Sequence, residues 1–325
     1  MRTAVRRSIL SPVAPSRSRP FVPAPIPPPR ASGYTTTTDV PLYWCAYGRE
    51  GAPRLLVLHG GPGADHCYLL PQMLRLADRY ELLFYDQRGG GKSRTDDRTP
   101  ITWRTHVADL QRVVRELAIE PLSLVGYSWG GLLAMLYTAE CATGRASPPP
   151  ARLVLIDPAP ITRQYRVAFQ GEFTRRQGSP EVQAMRNELV ESGVRERDPA
   201  AYRQRMFELS VAGYFADPHN ARDLTPFRVI GRVQQEVWGS MGDYDLRPAL
   251  AHAHVPTLIV HGRMDPIPLA ASEEAAWVLG AELVVLDESG HVPYVERPGA
   301  LFEAIERFLD RTAGVAGADD NSITS

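Results

Sequence analysis

The chain has 325 residues, of which 44% are hydrophobic, and a formal net charge of −1 at pH 7. This length fits one large α/β domain or a core domain that carries an insertion. The near-neutral charge argues against nucleic acid or an anionic membrane as a partner held by electrostatic attraction.

Cysteine and histidine spacing gives no metal-site pattern. Cys45, Cys67 and Cys141 lie far apart and form no C-x-x-C pair, so they predict neither a zinc site nor a disulfide framework. His252 and His254 form an HAH pair, but no third ligand is apparent. No apolar run approaches the ~18 residues that a membrane-spanning helix requires. We therefore expect a cytoplasmic protein with no metal, no other cofactor and no membrane partner.

Residues 1–38 are basic, then rich in proline, and end in a run of threonines. Proline removes backbone hydrogen-bond donors, and the segment holds too little apolar material to offset the entropy of ordering. Its apolar stretch SILSPVAP is too short and too interrupted by proline for a signal peptide. We predict that residues 1–38 are disordered and that residues 314–325 form a flexible tail.

From residue 40 onward, short β-branched and leucine-rich runs alternate with segments of helical period. This alternation predicts an α/β fold with a mostly parallel sheet and helices on both faces. Several runs are apolar throughout, as expected for strands covered on both faces. The predicted strands are residues 41–47, 54–59, 81–86, 122–127, 152–157, 257–262 and 282–287, and the predicted helices include 102–118, 129–141, 269–279 and 298–312.

The regular alternation is interrupted once, between the strands predicted at 152–157 and 257–262. Roughly a hundred residues of charged and mostly helical pattern lie there, whereas a plain crossover needs only about a dozen. We interpret residues 158–248 as an inserted helical cap on a core that comprises residues 39–157 and 249–313.

The stretch DQRGGGKS, residues 86–93, ends like a phosphate-binding loop. Such a loop requires glycine five positions before Gly91, but Asp86 stands there. The loop should also open directly into a helix, yet Pro100 precedes the next helical pattern. These departures disfavour a nucleotide site.

The strongest local motif is GYSWG, residues 126–130, which lies between a predicted strand and a predicted helix. This strand–turn–helix context is that of a nucleophile elbow, whose small flanking residues permit a strained turn. The turn would expose the Ser128 hydroxyl above the carboxyl ends of the strands. The motif therefore predicts Ser128 as a nucleophile.

A serine nucleophile needs a base and an orienting acid, in the chain order serine, acid, histidine. Asp265 follows the strand predicted at 257–262, and His291 follows the next strand. We favour these two as the acid and the base. Asp157, which ends the strand after Ser128, remains the alternative acid.

Acyl transfer also requires two N–H donors for the developing oxyanion. The residue after the nucleophile, Trp129, would supply one. The loop HGGPG, residues 59–63, would supply the other. Pro62 has no N–H, which makes Gly61 the favoured donor.

The motifs HGGPG, DQRGGGKS, GYSWGG, GRMD and SGH follow one another in this order and resemble an α/β-hydrolase. More narrowly, they resemble the proline iminopeptidase (prolyl aminopeptidase) family of serine peptidases, over roughly residues 40–312. The resemblance implies that Ser128, Asp265 and His291 form a catalytic triad and that Gly61 and Trp129 form the oxyanion hole. It also implies that DQRGGGKS is a structural loop near the active site.

In this family, glutamates of the cap bind the free amino group of the substrate, one of them typically within a Trp-Glu pair. Here Trp238 is followed by Gly239. Glu172, Glu208 and Glu236 remain candidate amine ligands. The alternative for each is a solvated position on the surface of the cap.

These observations predict a cofactor-free serine hydrolase that releases N-terminal residues from small peptides. A small-molecule carboxylesterase or lactonase on the same scaffold is the alternative, and a non-catalytic ligand-binding protein is a more remote one, because fold does not fix function. We expect a small peptide or ester substrate and no nucleic-acid partner.

Overall fold

The structure is a computed structural model that describes residues 7–9 and 26–313. Its centre is a nine-stranded sheet in the order β1-β9-β8-β7-β6-β4-β5-β3-β2. The strands are β1 Arg7–Ile9, β2 Ala31–Tyr34, β3 Tyr43–Tyr47, β4 Arg54–Leu58, β5 Glu81–Tyr85, β6 Ser123–Tyr127, β7 Arg152–Ile156, β8 Thr257–Gly262 and β9 Glu282–Leu286. Neighbouring strands from β1 through to β5 in this order are parallel, whereas β3 and β2 are antiparallel.

The central strands are apolar along their length because both faces of the sheet are covered. Strands β5 to β8 have every residue buried. One buried apolar cluster packs α1 and α2 against one face, and a second packs the C-terminal helix α11 against the other. The helices are α1 Trp103–Glu116, α2 Trp129–Ala142, α3 Arg163–Gln177, α4 Pro180–Glu191, α5 Val194–Arg197, α6 Pro199–Val211, α7 Gly231–Met241, α8 Arg247–Leu250, α9 Leu269–Leu279, α10 Pro293–Glu296 and α11 Pro298–Thr312. The predicted α/β fold with a mostly parallel sheet is confirmed.

The chain between β7 and β8 is helical. It contains α3 to α8 and two short 3₁₀ helices at Ala212–Tyr214 and Pro218–Asp223. Val182, Leu189, Leu209 and Ala212 form a small apolar cluster of their own within this part. None of the helices in residues 26–313 has the length and apolar character needed to cross a bilayer.

The prediction that residues 1–38 are disordered is wrong for the end of that segment. Strand β2 pairs antiparallel with β3, and Thr35 and Thr38 are buried. The backbone N–H groups of Thr36 and Thr37 donate to the Glu116 carboxylate at 2.7 and 2.9 Å. The open edge of β3 supplies backbone partners, so this segment is ordered without many apolar side chains. Residues 7–9 also pair with β9, whereas residues 1–6, residues 10–25 and the predicted tail at 314–325 lie outside the described residues.

Candidate active site

Ser128 lies at the sharp turn between β6 and α2. Its φ and ψ are 53° and −119°, a conformation that a non-glycine residue adopts only when the surroundings impose it. The surroundings are tightly packed: a β-carbon on Gly130 would lie 2.1 Å from the carbonyl oxygen of Leu58, and one on Gly126 would lie 2.5 Å from that of Gly130. The glycines of the GYSWG motif are therefore required by the close approach of β4, β6 and α2.

The structure brings together the three residues that the sequence favoured. Nε2 of His291 lies 3.0 Å from Oγ of Ser128, and Nδ1 of His291 lies 2.8 Å from Oδ2 of Asp265. The other carboxylate oxygen of Asp265 accepts the backbone N–H of Ile267 at 2.6 Å. Each side chain follows the carboxyl end of a parallel strand, which places all three at one edge of the sheet.

His291 is fixed by hydrogen bonds to its backbone and by aromatic rings packed beside it. Its backbone N–H donates to the Tyr214 carbonyl at 2.7 Å, and the Tyr127 hydroxyl donates to its carbonyl at 2.9 Å. The rings of Tyr214 and Phe169 lie 5.2 and 6.4 Å from the imidazole. Burial among these rings lowers the pKa of His291 to about 4. The ring is therefore neutral at pH 7, and with Nδ1–H donating to Asp265 its Nε2 is free to accept a proton.

Asp157, the alternative acid, lies beside Asp265 rather than beside the histidine of the triad. Its Oδ1 accepts the backbone N–H of Gly262 at 2.8 Å, and its buried Oδ2 has no hydrogen-bond donor among the described residues. The ligand-type atoms of Asp157, His261 and Asp265 lie within 4.8 Å of one another.

Two buried carboxylates this close cannot both be ionised at low cost. Burial, reinforced by the charge of Asp265, raises the pKa of Asp157 well above its usual range. Burial also raises the pKa of Asp265 to about 7, against the lowering effect of its hydrogen bonds from Asp157 and from the backbone of Ile267. Asp157 is therefore the protonated member of the pair and can donate to Asp265, while Asp265 faces the histidine.

His261, the third member of this buried group, is neutral and structural. Its Nε2 lies 3.2 Å from the Ile267 carbonyl, and its Nδ1 lies 2.9 Å from the Ser272 hydroxyl. Burial lowers its pKa to about 3. His261 therefore ties the loop that carries Asp265 to α9.

The two predicted oxyanion donors lie beside Ser128. Trp129 is the first residue of α2, and Gly61 lines the same cavity as Ser128. Neither backbone N–H has an acceptor within residues 26–313. The Trp129 side chain is fully buried and donates from Nε1 to Oε1 of Gln87 at 2.8 Å, while Nε2 of Gln87 donates to the His59 carbonyl at 2.7 Å. Gln87 thus holds the end of β4 and the start of α2 in a fixed relation.

Other side chains of the DQRGGGKS loop also contact groups within the protein. Oδ2 of Asp86 accepts the backbone N–H of Lys92 at 2.8 Å, and the Lys92 ammonium lies 4.1 Å from the centre of the Tyr43 ring. Arg88 forms paired hydrogen bonds with the Asp109 carboxylate at 2.6 and 2.8 Å. The contacts of this loop are therefore with the protein itself, and Gln87 connects it to Trp129 beside Ser128.

Ser128 and His291 open into a cavity of about 660 Å³ between the sheet edge and the helices that follow β7. Phe169 and Tyr214 form its aromatic wall beside His291. The side chains that line the cap side include Arg163, Arg166, Gln170, Gln235, Trp238 and Asp243. The cavity therefore combines aromatic surface with two cations and one carboxylate.

None of the three glutamates predicted as amine ligands is among the described residues that line the cavity. Glu172 forms ion pairs with Arg175 and Arg176, at 2.7 and 2.8 Å. Glu236 accepts the backbone N–H of Ile101 at 2.9 Å.

Glu208 is buried and accepts a hydrogen bond from Gln204 at 3.1 Å. Of the four cap residues selected from the sequence, Trp238 is the one that reaches the cavity. The geometry therefore gives the candidate glutamates no contact with a substrate at Ser128.

Sequence reasoning missed Arg163 and Arg166. Both lie on α3, a helix with no buried residue, so no apolar periodicity indicates which of its faces meets the cavity. Their position just after the end of β7 was the available signal, because residues that follow the carboxyl end of a parallel strand lie near the site edge.

Comparison with known proteins agrees with this geometry. The profile of the alpha/beta hydrolase family matches residues 55–304. A proline iminopeptidase of Lactobacillus crispatus is 26% identical over 299 residues, which cover 83% of this chain and 94% of the relative.

Two solved structures show the same fold at low sequence identity. The proline iminopeptidase of Mycobacterium smegmatis aligns with a TM-score of 0.65 and 20% identity, over 88% of this chain and 100% of that one. The enol-lactonase of Burkholderia xenovorans aligns with a TM-score of 0.61 and 21% identity, over 86% of this chain and 100% of that one. The fold, the matched profile and the shared length show that this chain belongs to the alpha/beta hydrolase family.

Proposed function

We propose that the protein is a serine hydrolase that cleaves a small ester or amide through an acyl-enzyme on Ser128. The observation that carries the proposal is the hydrogen-bonded chain from Ser128 through His291 to Asp265, at 3.0 and 2.8 Å. A histidine that accepts from serine and donates to a buried carboxylate is the arrangement that activates a serine hydroxyl.

In the first half of the reaction, Ser128 Oγ attacks the substrate carbonyl while Nε2 of His291 accepts the hydroxyl proton. Asp265 holds the ring and stabilises the imidazolium that forms. The oxyanion of the tetrahedral intermediate would accept hydrogen bonds from the backbone N–H groups of Trp129 and Gly61. His291 then returns the proton to the leaving oxygen or nitrogen, which departs and leaves the acyl group on Ser128.

In the second half, a water molecule attacks the acyl-enzyme. His291 accepts a proton from the water and then delivers it to Ser128 Oγ as the acid product leaves. Each half therefore uses the same base and the same oxyanion donors, and no cofactor enters the scheme.

The first specific candidate is an aminopeptidase that releases N-terminal residues from small peptides. It is supported by relatives named proline iminopeptidase that match most of this chain. The substrate's ammonium group would need a carboxylate partner, because a buried unpaired charge is costly. Asp243, an exposed carboxylate that lines the cavity, is the partner that the geometry offers.

The second candidate is a carboxylesterase or lactonase. The cap side of the cavity favours it, because Arg163 and Arg166 line the cavity and Glu172, Glu208 and Glu236 do not. An ester or lactone needs no carboxylate for an ammonium group.

A labelling experiment followed by a substrate panel tests both levels of the proposal. A fluorophosphonate probe should label the wild-type protein and not Ser128→Ala. Absence of labelling, together with absence of hydrolysis, would favour a ligand-binding protein. The panel compares proline naphthylamide, its N-acetylated form and p-nitrophenyl esters. Hydrolysis of the free-amine naphthylamide well above the acetylated form would support the aminopeptidase, whereas activity restricted to esters would support the esterase.

A further inference from the structure

Arg166 occupies an unusual position for a charged side chain. It lies on α3, is half-buried, and lines the cavity that holds Ser128 and His291. Its guanidinium carbon lies over the Trp238 ring, 4.0 Å from the ring centre, which is a cation–π contact. Burial lowers the pKa of Arg166, and the positive charge of Arg163 adds to this effect.

Several arginines between β7 and β8 have anionic partners close by. Arg175 and Arg176 pair with Glu172, and Arg247 pairs with Asp245. Arg163 and Arg166 line the cavity, and neither side chain forms an ion pair or hydrogen bond with any residue in the described part of the chain. The two cations that line the cavity are thus both without an anionic partner among the described residues.

A short series of contacts connects Arg166 to the reacting serine. The Arg166 guanidinium lies over Trp238. The Trp238 ring in turn packs edge-to-face on Trp129, with ring centres 5.2 Å apart. Trp129 directly follows Ser128 and is fixed by its hydrogen bond to Gln87. The guanidinium is therefore held in a defined place relative to Ser128, with its N–H groups free to bind an anion.

From this arrangement we propose that Arg166, assisted by Arg163, forms an anion subsite in the cavity and that the preferred substrate carries a carboxylate. A planar guanidinium donates two parallel hydrogen bonds to a carboxylate, and stacking on an aromatic ring orients it for this purpose. A half-buried cation without an anion carries a desolvation cost, which a bound carboxylate would offset. Asp243, which is exposed at the cavity, supplies one negative charge against the two positive charges of the arginines.

The inference rests on the proposed serine hydrolase activity, since it describes the substrate of that same site. It does not depend on whether an ester or an amide is cleaved. A carboxylate can lie on the acyl part of the substrate or on its leaving group, and the test must therefore examine both.

The test uses two pairs of esters, each consisting of a carboxylate and its methyl ester, and the rates of each pair are corrected by the uncatalysed hydrolysis rates of its two members. The first pair is mono-4-nitrophenyl adipate and its neutral methyl ester, with the carboxylate on the acyl side. The second is 4-acetoxybenzoate and its methyl ester, with the carboxylate on the leaving group. We expect kcat/KM to be at least about tenfold higher for the charged member of one pair, since one charge-assisted contact contributes roughly that factor.

Variants then assign the preference to Arg166. Arg166→Gln should lower kcat/KM for the preferred charged ester by about 10- to 100-fold and change the neutral ester by less than about threefold. Arg166→Lys should keep part of the preference, because the charge remains but the planar fork is lost. Arg163→Gln should have a smaller effect. Arg175→Gln is the matched control on the same helix, and it should leave both members of each pair unchanged.

The neutral esters and the fluorophosphonate probe separate the two levels of the argument. If the protein hydrolyses the neutral esters and is labelled, but shows no preference for a charged ester, the anion subsite is wrong and the hydrolase stands. Equal losses on charged and neutral esters in Arg166→Gln would also overturn the subsite, because they would indicate a packing role on Trp238. If no ester is hydrolysed and Ser128 is not labelled, the proposed hydrolase fails and the subsite fails with it.

Discussion

The two walls of the cavity differ in how their side chains are fixed. On the sheet side, Ser128, His291 and Asp265 follow strand ends, are largely buried and are joined by hydrogen bonds to one another and to backbone groups. On the cap side, Arg163 and Gln235 are exposed, and the helix that carries Arg163 buries none of its residues.

This difference matches two requirements of one site, which are bond cleavage and substrate recognition. Bond cleavage needs atoms held to within a fraction of an ångström, and a rigid sheet edge provides that. Recognition of a substrate needs groups that are unsatisfied until the substrate binds, and the cap provides those. We therefore expect changes on the sheet side to alter kcat strongly, and changes on the cap side to alter the choice between substrates.

The largest expected effect comes from removing the nucleophile. Ser128→Ala should lower kcat by about 10⁴-fold or more, because the acyl-enzyme can no longer form. The variant should fold normally, since the backbone N–H of Ser128 still donates to the Ile156 carbonyl and the turn is fixed by its glycines. Hydrolysis rates and melting temperatures of the two proteins check both statements. Near-wild-type turnover in the alanine variant would remove Ser128 from the mechanism.

The second prediction compares the two buried acids on the sheet side. Asp265→Asn should reduce kcat by about 10³- to 10⁴-fold, because an amide at this position no longer holds the His291 tautomer that accepts at Nε2. Asp157→Asn should reduce kcat by less than about tenfold, since an amide can still accept from Gly262 and donate to Asp265.

Steady-state kinetics on one ester substrate, with melting temperatures as the folding control, decide between the two acids. A larger loss in Asp157→Asn would transfer the orienting role to the earlier strand and would contradict the hydrogen bond between His291 and Asp265.

The sequence predicted the sheet side well for a physical reason. Parallel strands place their carboxyl ends at one edge, so residues that follow successive strands must be neighbours. Tight approaches of backbone also require glycine, as at Gly126 and Gly130, and these glycines make the elbow visible as a motif. Strand-end residues such as Asp265 and His291 could therefore be selected without coordinates.

The cap and the N-terminal segment were harder to predict, for different reasons. Cap helix α3 has no buried face, so nothing in its sequence indicates that Arg166 meets the cavity while Glu172 pairs with its own neighbours. Strand β2 has the sequence ASGY after a proline-rich stretch, and it is ordered through backbone pairing with β3. Backbone pairing at a sheet edge is set by the partner strand and leaves little trace in the composition of the added strand.

The smallest predicted effect concerns stability and comes from the proton that the two acids of the sheet side retain. An aspartate in the unfolded chain ionises near pH ~3.9, whereas Asp157 in the folded protein has a pKa well above its usual range because it is buried. As pH rises above about 4, the unfolded state releases this proton and the folded state does not. The contribution of Asp157 to stability is therefore complete below that pH and is lost as pH rises toward its folded pKa.

Asp157→Asn removes the titration of this carboxyl, while its amide can still accept from Gly262 and donate to Asp265. The melting temperature of Asp157→Asn relative to wild type should therefore increase with pH, from about zero at pH 4 to at least about 2 °C at pH 8. The titrating groups outside the Asp157–Asp265 pair are common to both proteins, so the difference between two melting curves at each pH isolates the pair. A difference that stays constant from pH 4 to pH 8, or that falls as pH rises, would show that Asp157 is ionised in the folded protein and that the proton resides elsewhere in the pair.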